Sequence, residues 1–179
     1  MIQRIQTLWL VLAAVCMALC YAMPVAEYEY ELGSGQKVTA RLDLVGRDNP
    51  EMMQQLANME PEVAYSQRVT GMPTWPMVAL SIACIALAVA CVLLYHNRVL
   101  QMRMAAVGFL FSVVYVFIVF FWAVDHYKEL LAPHMAGAEP SITWHVGSYA
   151  PIAAMAFFFL AQRAIRRDEA RVRAADRLR

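Results

Sequence analysis

Residues 104–124 read MAAVGFLFSVVYVFIVFFWAV, with no charged side chain between Arg103 and Asp125. A helix of this length covers roughly 30 Å, the thickness of a hydrocarbon core. Lipid offers the backbone no hydrogen-bond partners, so an apolar segment that crosses it has to pair its own N–H and C=O groups as a helix. The stretch therefore predicts a transmembrane helix.

Three further apolar runs accompany it, at residues 5–23, 77–95 and 144–162. Hydrophobic residues make up 61% of the chain and charged residues 16%, against about 45–50% and 25% in soluble proteins. We therefore predict an all-α membrane protein, in which residues 1–179 form a single domain built as a four-transmembrane-helix bundle.

The first run has a second interpretation, as a cleaved signal peptide. It is long for the apolar part of such a peptide, follows a single basic side chain at Arg4, and lacks a clear A-x-A cleavage site. A lipoprotein signal is also disfavoured, because Val15 and Leu19 precede the two cysteines of this run. We expect a retained span.

Residues 25–75 form the one sizeable polar segment, a predicted extracytoplasmic lid. Polar and apolar residues alternate over 27–32 and again over 36–44, on either side of Gly-Ser-Gly at 33–35. In a β-hairpin around that turn Glu31 faces Lys37 and Glu27 faces Arg41, while the tyrosines meet apolar residues on the other side. A short helix is expected over residues 48–59, and a disordered loop is the alternative to the hairpin.

Small residues follow two seams of the second run, which predicts close contact with two neighbouring helices. The seams are Ala79, Ala83, Ala86 and Ala90, and Ser81, Cys84, Ala88 and Cys91. In the fourth run Pro151 lacks the N–H that would bond the Gly147 carbonyl, so a kink is expected there.

Charge asymmetry predicts the topology. With the amino terminus inside, the inner segments hold ten of the fifteen Lys and Arg residues, whereas the outer segments hold eleven of the fourteen acids. Basic residues accumulate in the cytoplasmic segments of membrane proteins, so both termini are expected in the cytoplasm.

Three stretches carry a resemblance to a known family: MIQRIQTL at residues 1–8, VGSYAP at 146–151, and RRDEARVRAADRLR at 166–179. The chain resembles the four-span inner-membrane proteins of Bacteroidetes grouped as domain of unknown function 4293. The arginine-rich ending is the most specific part. The resemblance implies a bacterial inner-membrane location and four spans, and it implies no activity.

The four cysteines raise the possibility of a disulfide-forming membrane oxidoreductase. Such chemistry needs paired thiols near water, usually as C-x-x-C. Cys16 and Cys20 lie within the first span, and Cys84 and Cys91 within the second. We expect them to be packing residues.

A second candidate site lies at the predicted outer mouth of the bundle, and we assign to it Asp125, His126, His145 and Tyr149. Together with His134, Glu129 and Glu139, these side chains offer ligands for zinc or a proton relay. The spacing matches no metal motif, and we predict no cofactor and no metal.

The tail at residues 163–179 is the third candidate site. It can anchor to anionic lipid, contact an acidic partner, or continue the fourth span as a solvated helix. Nucleic acid is not expected, because the tail lacks interleaved aromatic residues. Its arginines are Arg163, Arg166, Arg167, Arg171, Arg173, Arg177 and Arg179.

Two classes of function remain. The sequence favours a non-enzymatic accessory or scaffold subunit of an envelope complex, in contact with the lipid bilayer and with a membrane-protein partner or a second copy of itself. The alternative is a small transporter or membrane enzyme with a site at the outer mouth. Charged groups inside the spans are the usual mark of transport, and these spans carry no Asp, Glu, Lys or Arg.

Overall fold

The computed structural model describes residues 3–31, 37–44, 74–94, 96–132 and 139–177. The chain forms two compact units. Unit 1 contains Met1–Leu19, Ala79–Val116 and Tyr149–Arg179, and unit 2 contains Cys20–Val78 and Phe117–Ser148.

Four helices among the described residues are long and apolar enough to cross a membrane, which confirms the predicted fold class. The first is α1, Gln3–Ala22, and the second is α2, Trp75–Leu93. The third runs without a break over Arg98–Leu131 and the fourth is α5, Val146–Arg177. The third helix has three sections, which are α3 (Arg98–Phe117), a π-helical section (Ile118–Ala123) and α4 (Val124–Leu131).

Local sequence signals account for several of the helix ends. Pro76 lies in the first turn of α2, where its missing N–H costs no hydrogen bond. Asn97 caps α3, since its Oδ1 accepts from the Leu100 N–H at 3.2 Å.

Two helices extend beyond their apolar runs. The third continues through Asp125 to Leu131, and α5 continues through the arginine-rich tail to Arg177. The length of an apolar run reflects the thickness of the hydrocarbon core. The helix itself can be longer, because it continues as long as backbone hydrogen bonds and packing stabilise it. The segment 125–143, which separates the third and fourth apolar runs, therefore contains most of α4 and most of a strand. Trp144, expected to open the fourth span, ends that strand.

The strands are β1 (Ala26–Glu31), β2 (Lys37–Leu42) and β3 (Ser141–Trp144), in the antiparallel order β2-β1-β3. In the pairing of β1 with β2, Glu31 lies opposite Lys37 and Glu27 opposite Arg41, which confirms the predicted register. The third strand was not predicted. The turn at 33–35 and the expected helix at 48–59 lie outside the described residues.

In unit 1 small residues allow the helices to approach closely. Gly108 on α3 leaves room for the Phe158 ring on α5, since a Cβ atom at Gly108 would lie 2.5 Å from Phe158 Cε1. On α2 only one predicted seam is buried: Cys84 and its seam neighbours are inside, whereas Ala79 and Ala86 are exposed. Among the described residues, α2 therefore buries one of its two predicted small-residue seams.

Candidate functional site

The polar face of the sheet in unit 2 is centred on the carboxylate of Glu27 on β1. Its Oε2 lies 2.9 Å from Nε2 of His145, and its Oε1 lies 3.6 Å from Nε of Arg41. The Glu27 and His145 side chains are 24% and 34% exposed, so water reaches the pair only in part. A carboxylate on an imidazole can accept or return a proton.

The strand register explains why these side chains meet. Glu27 lies opposite Arg41 on one side and opposite Thr143 on the other. His145 follows two residues after Thr143 and is therefore a diagonal neighbour on the same face. Lys37 also reaches a diagonal neighbour, Glu29, with 2.7 Å between Nζ and Oε1, instead of pairing with Glu31 directly opposite.

The hydrogen bond that Lys37 donates to the Glu29 carboxylate raises the pKa of this exposed ammonium group. Ion pairs therefore join Glu29 to Lys37 and Glu27 to Arg41 on the surface of the sheet, and Glu27 also contacts the His145 ring.

The backbone of His145 is held where β3 passes into α5. Its N–H donates to the Val25 carbonyl at 3.2 Å, and the Gly147 N–H donates to the Pro24 carbonyl at 3.1 Å. A Cβ atom at Gly147 would lie 2.5 Å from the Pro24 oxygen, so only glycine fits this approach. The Ser148 hydroxyl donates to the His145 carbonyl at 2.7 Å.

Pro151 lies inside α5 and leaves the Gly147 carbonyl of this helix without its usual backbone donor. Pro151 has no N–H for the Gly147 carbonyl, and the thiol of Cys20 donates to that carbonyl at 3.8 Å. The Cys20 thiol therefore replaces the backbone N–H that Pro151 lacks as the hydrogen-bond donor to the Gly147 carbonyl of α5.

The apolar face of the sheet is tied to α4 by two tyrosines. The Tyr28 hydroxyl donates to the Val124 carbonyl at 3.1 Å, and the Tyr127 hydroxyl donates to the Arg41 carbonyl at 3.0 Å. The two rings lie 5.2 Å apart and tilt by 56°. Burial, followed by the neighbouring Tyr127 hydroxyl, raises the pKa of the Tyr28 phenol, so it remains a donor.

These two hydroxyl–carbonyl bonds run in opposite directions between sheet and helix. We call them the tyrosine brace. A third contact joins the sheet to the π-helical section, where the Trp144 ring stacks on Phe120 at 4.8 Å between centroids. Tyr127 was missed in the sequence because its segment was interpreted as a loop.

The four residues predicted at the outer mouth have different surroundings. His145 pairs with Glu27, the His126 ring stacks on Trp122 at 5.3 Å between centroids, and Asp125 is exposed in the first turn of α4. Tyr149 belongs to unit 1, where its side chain is exposed. A joint site of these residues stays a prediction.

His134 lies outside the described residues. In the described part of the chain, no group of three His, Cys, Asp or Glu side chains is arranged to hold a metal ion.

The cysteines are free thiols. Two of the three buried ones contact neighbouring groups of unit 1: Cys84 Sγ lies 3.7 Å from Ser112 Oγ, and Cys91 Sγ donates to the Gln101 carbonyl at 3.6 Å. These contacts agree with a packing role.

The arginine-rich tail is helical over the described residues, as one of its predicted forms requires. Asp168 on α5 is buried and accepts from Gln6 Nε2 on α1 at 3.0 Å. Glu169 pairs with Arg173 one turn later. The backbone of Arg177 belongs to α5, and Arg179 lies outside the described residues.

The four helices could each cross a membrane, which is consistent with a multi-pass membrane protein. The chain belongs to the family described as "Domain of unknown function (DUF4293)", whose model matches residues 2–178. No curated protein and no solved structure matches the chain.

Proposed function

We propose that this protein is a non-enzymatic accessory or scaffold subunit of an envelope complex in the bacterial inner membrane. In this proposal both termini lie in the cytoplasm and the sheet lies outside it. The concentration of basic residues at the termini and in the segment 96–103 supports this orientation.

The tyrosine brace is the observation that carries the scaffold role. One buried and one partly buried hydroxyl–carbonyl bond, together with a stacked ring pair, hold a small sheet against α4 and the π-helical section. A two-stranded hairpin alone is marginal in water, so this anchoring supplies stability that the hairpin lacks. A fixed polar surface on a membrane anchor suits recognition of a partner protein, because little order has to be gained on binding.

The internal charge pairing supports the same role. The Glu27 and Glu29 carboxylates are held by Lys37, Arg41 and His145. They therefore give the polar face a fixed arrangement of charges. Such patterns select partners and orient them.

Photo-crosslinking in native membranes tests the proposal. A photoreactive amino acid at Thr143, exposed on the polar face, should give one discrete protein adduct. The matched probe at Val107, exposed on α3, should give none. The adduct at Thr143 should also weaken when Tyr28 and Tyr127 are both changed to Phe, because the sheet is then less firmly held. Absence of an adduct at Thr143, or an equal adduct at both positions, would contradict the scaffold role.

The alternative function is a small transporter or membrane enzyme, and the Glu27–His145 pair is the observation that favours it. A partly exposed carboxylate–imidazole pair can relay a proton to a bound molecule. Proton flux into liposomes that contain only the purified protein, abolished by Glu27→Gln, would favour this alternative over the scaffold.

A further inference from the structure

One face of α5 changes from apolar to arginine-rich along its length. The inward side of the helix is buried at every third or fourth residue, namely at Ala154, Phe158, Ala161, Ile165 and Asp168. The opposite side first exposes Ile152 and Phe159, and on the same face Arg163, Arg167 and Arg171 follow at intervals of four. We call these three residues the arginine row.

No paired acid offsets the charges of the arginine row within the described residues. Of the two tail acids whose side chains are described, Glu169 pairs with Arg173, and Asp168 is buried and accepts from the Gln6 amide. Among the residues that the structure describes, no member of the row takes part in an ion pair, and all three side chains are exposed. Three charges of one sign therefore face outward from one helix face.

Spacing places this charge next to the apolar surface. Members of the row rise about 6 Å apart along the helix, and Arg163 lies about 6 Å beyond Phe159. The headgroup layer on each side of the hydrocarbon core is roughly 5–7 Å thick. With Phe159 at the edge of the hydrocarbon, the first arginine lies at headgroup depth. The long side chains of the next two can extend back toward it.

We propose that the arginine row binds the phosphate groups of anionic phospholipids around this end of α5. Guanidinium forks hold phosphate oxygens through two parallel hydrogen bonds. Lipid is the occupant that fits, because the row continues the face whose exposed Ile152 and Phe159 contact acyl chains in a membrane. An acidic protein would have to displace lipid from that same face. The inference is independent of the scaffold role, which rests on the sheet.

Native mass spectrometry of the full chain in mild detergent tests the proposal, with equal amounts of phosphatidylglycerol and phosphatidylcholine added. Each arginine near the headgroups favours the anionic lipid by roughly fivefold, and mutual screening reduces the product. We expect the unmodified protein to retain phosphatidylglycerol at least about tenfold over phosphatidylcholine. A variant with glutamine at all three positions of the row should retain the two lipids about equally.

The matched control removes the same number of charges elsewhere, through Lys37→Gln, Arg41→Gln and Lys128→Gln. It should keep the preference for phosphatidylglycerol. Inorganic phosphate added without lipid should not displace the retained phosphatidylglycerol, because the acyl chains contribute to binding. If the triple variant does not fold, Arg163→Gln and Arg171→Gln should each lower the lipid ratio severalfold.

Three results would overturn the proposal. The first is an equal preference in the variant and the control, which would locate the lipid site elsewhere. The second is displacement by inorganic phosphate alone. The third is an unmodified protein that does not distinguish the two lipids, which would leave an acidic protein as the occupant of the row.

Discussion

Replacing Gly147 by Ala tests how the sheet is joined to α5. The added Cβ would lie 2.5 Å from the Pro24 oxygen and 2.8 Å from the Met23 oxygen. Both contacts are with backbone, so no side-chain rotation relieves them. The chain has to move apart, which weakens the bond from Gly147 N–H to the Pro24 carbonyl.

The expected loss of stability caused by Gly147→Ala has two contributions. Overpacking a tight site costs about 1–3 kcal/mol, and a lost hydrogen bond costs about 0.5–1.5 kcal/mol. We expect the free energy of unfolding to fall by about 2–4 kcal/mol, and the thermal midpoint by roughly 5–15 °C for a chain of this size. The assay is thermal unfolding in mild detergent. The quantity measured after heating to each temperature is the fraction of the protein that still elutes as a monodisperse peak.

Gly108→Ala is the matched control, because its clash is with a side chain, 2.5 Å from Phe158 Cε1. Phe158→Leu should therefore relieve Gly108→Ala, so that the double variant loses less stability than the two single losses added together. Pro24→Ala should give Gly147→Ala no such relief, since the clashing oxygen belongs to the backbone. A Gly147→Ala protein as stable as the unmodified one would refute the proposed close approach.

Two further predictions concern the sheet. Tyr28→Phe and Tyr127→Phe each remove one bond of the tyrosine brace, and each should lower the free energy of unfolding by about 0.5–1.5 kcal/mol in detergent denaturation; an unchanged midpoint in both variants would argue against the brace. Glu29→Lys should make the sheet easier to cleave by protease, and exchanging Glu29 with Lys37 should restore resistance because the diagonal pair is rebuilt. If single and exchanged variants are cleaved at the same rate, the diagonal pair does not contribute.

The hairpin register could be predicted because two independent patterns agree on it. A slip by one residue would move Tyr28 and Tyr30 to the polar side and set Glu27 away from Arg41. The observed pairing has Tyr30 opposite Val38, as expected.

The third strand could not be predicted with the same security. Ser141–Trp144 alternates polar and apolar residues, but four residues at the start of an apolar run are too short to separate from a helix. Its pairing with β1 spans more than a hundred residues of sequence, and local patterns carry no information about that. The contact of His145 with Glu27 depends on this strand, which is why the sequence identified His145 without its partner.

The carboxyl-terminal ends of the third and fourth helices also differ from the prediction. Composition shows where apolar residues stop, at Val124 and near Gln162, whereas the helices end at Leu131 and Arg177. The contact of Gln6 with Asp168, distant in sequence, helps to hold α5 together past the apolar run.

Four spans with both termini in the cytoplasm underlie the proposed function, and reporter fusions test this topology most directly. Alkaline phosphatase, active only outside the cytoplasm, and green fluorescent protein, fluorescent only inside, would each be fused after Arg47, Arg98, Ala138 and Arg179. The expected order is outside, inside, outside and inside. An active phosphatase after Arg179 would place the carboxyl terminus outside and contradict the account.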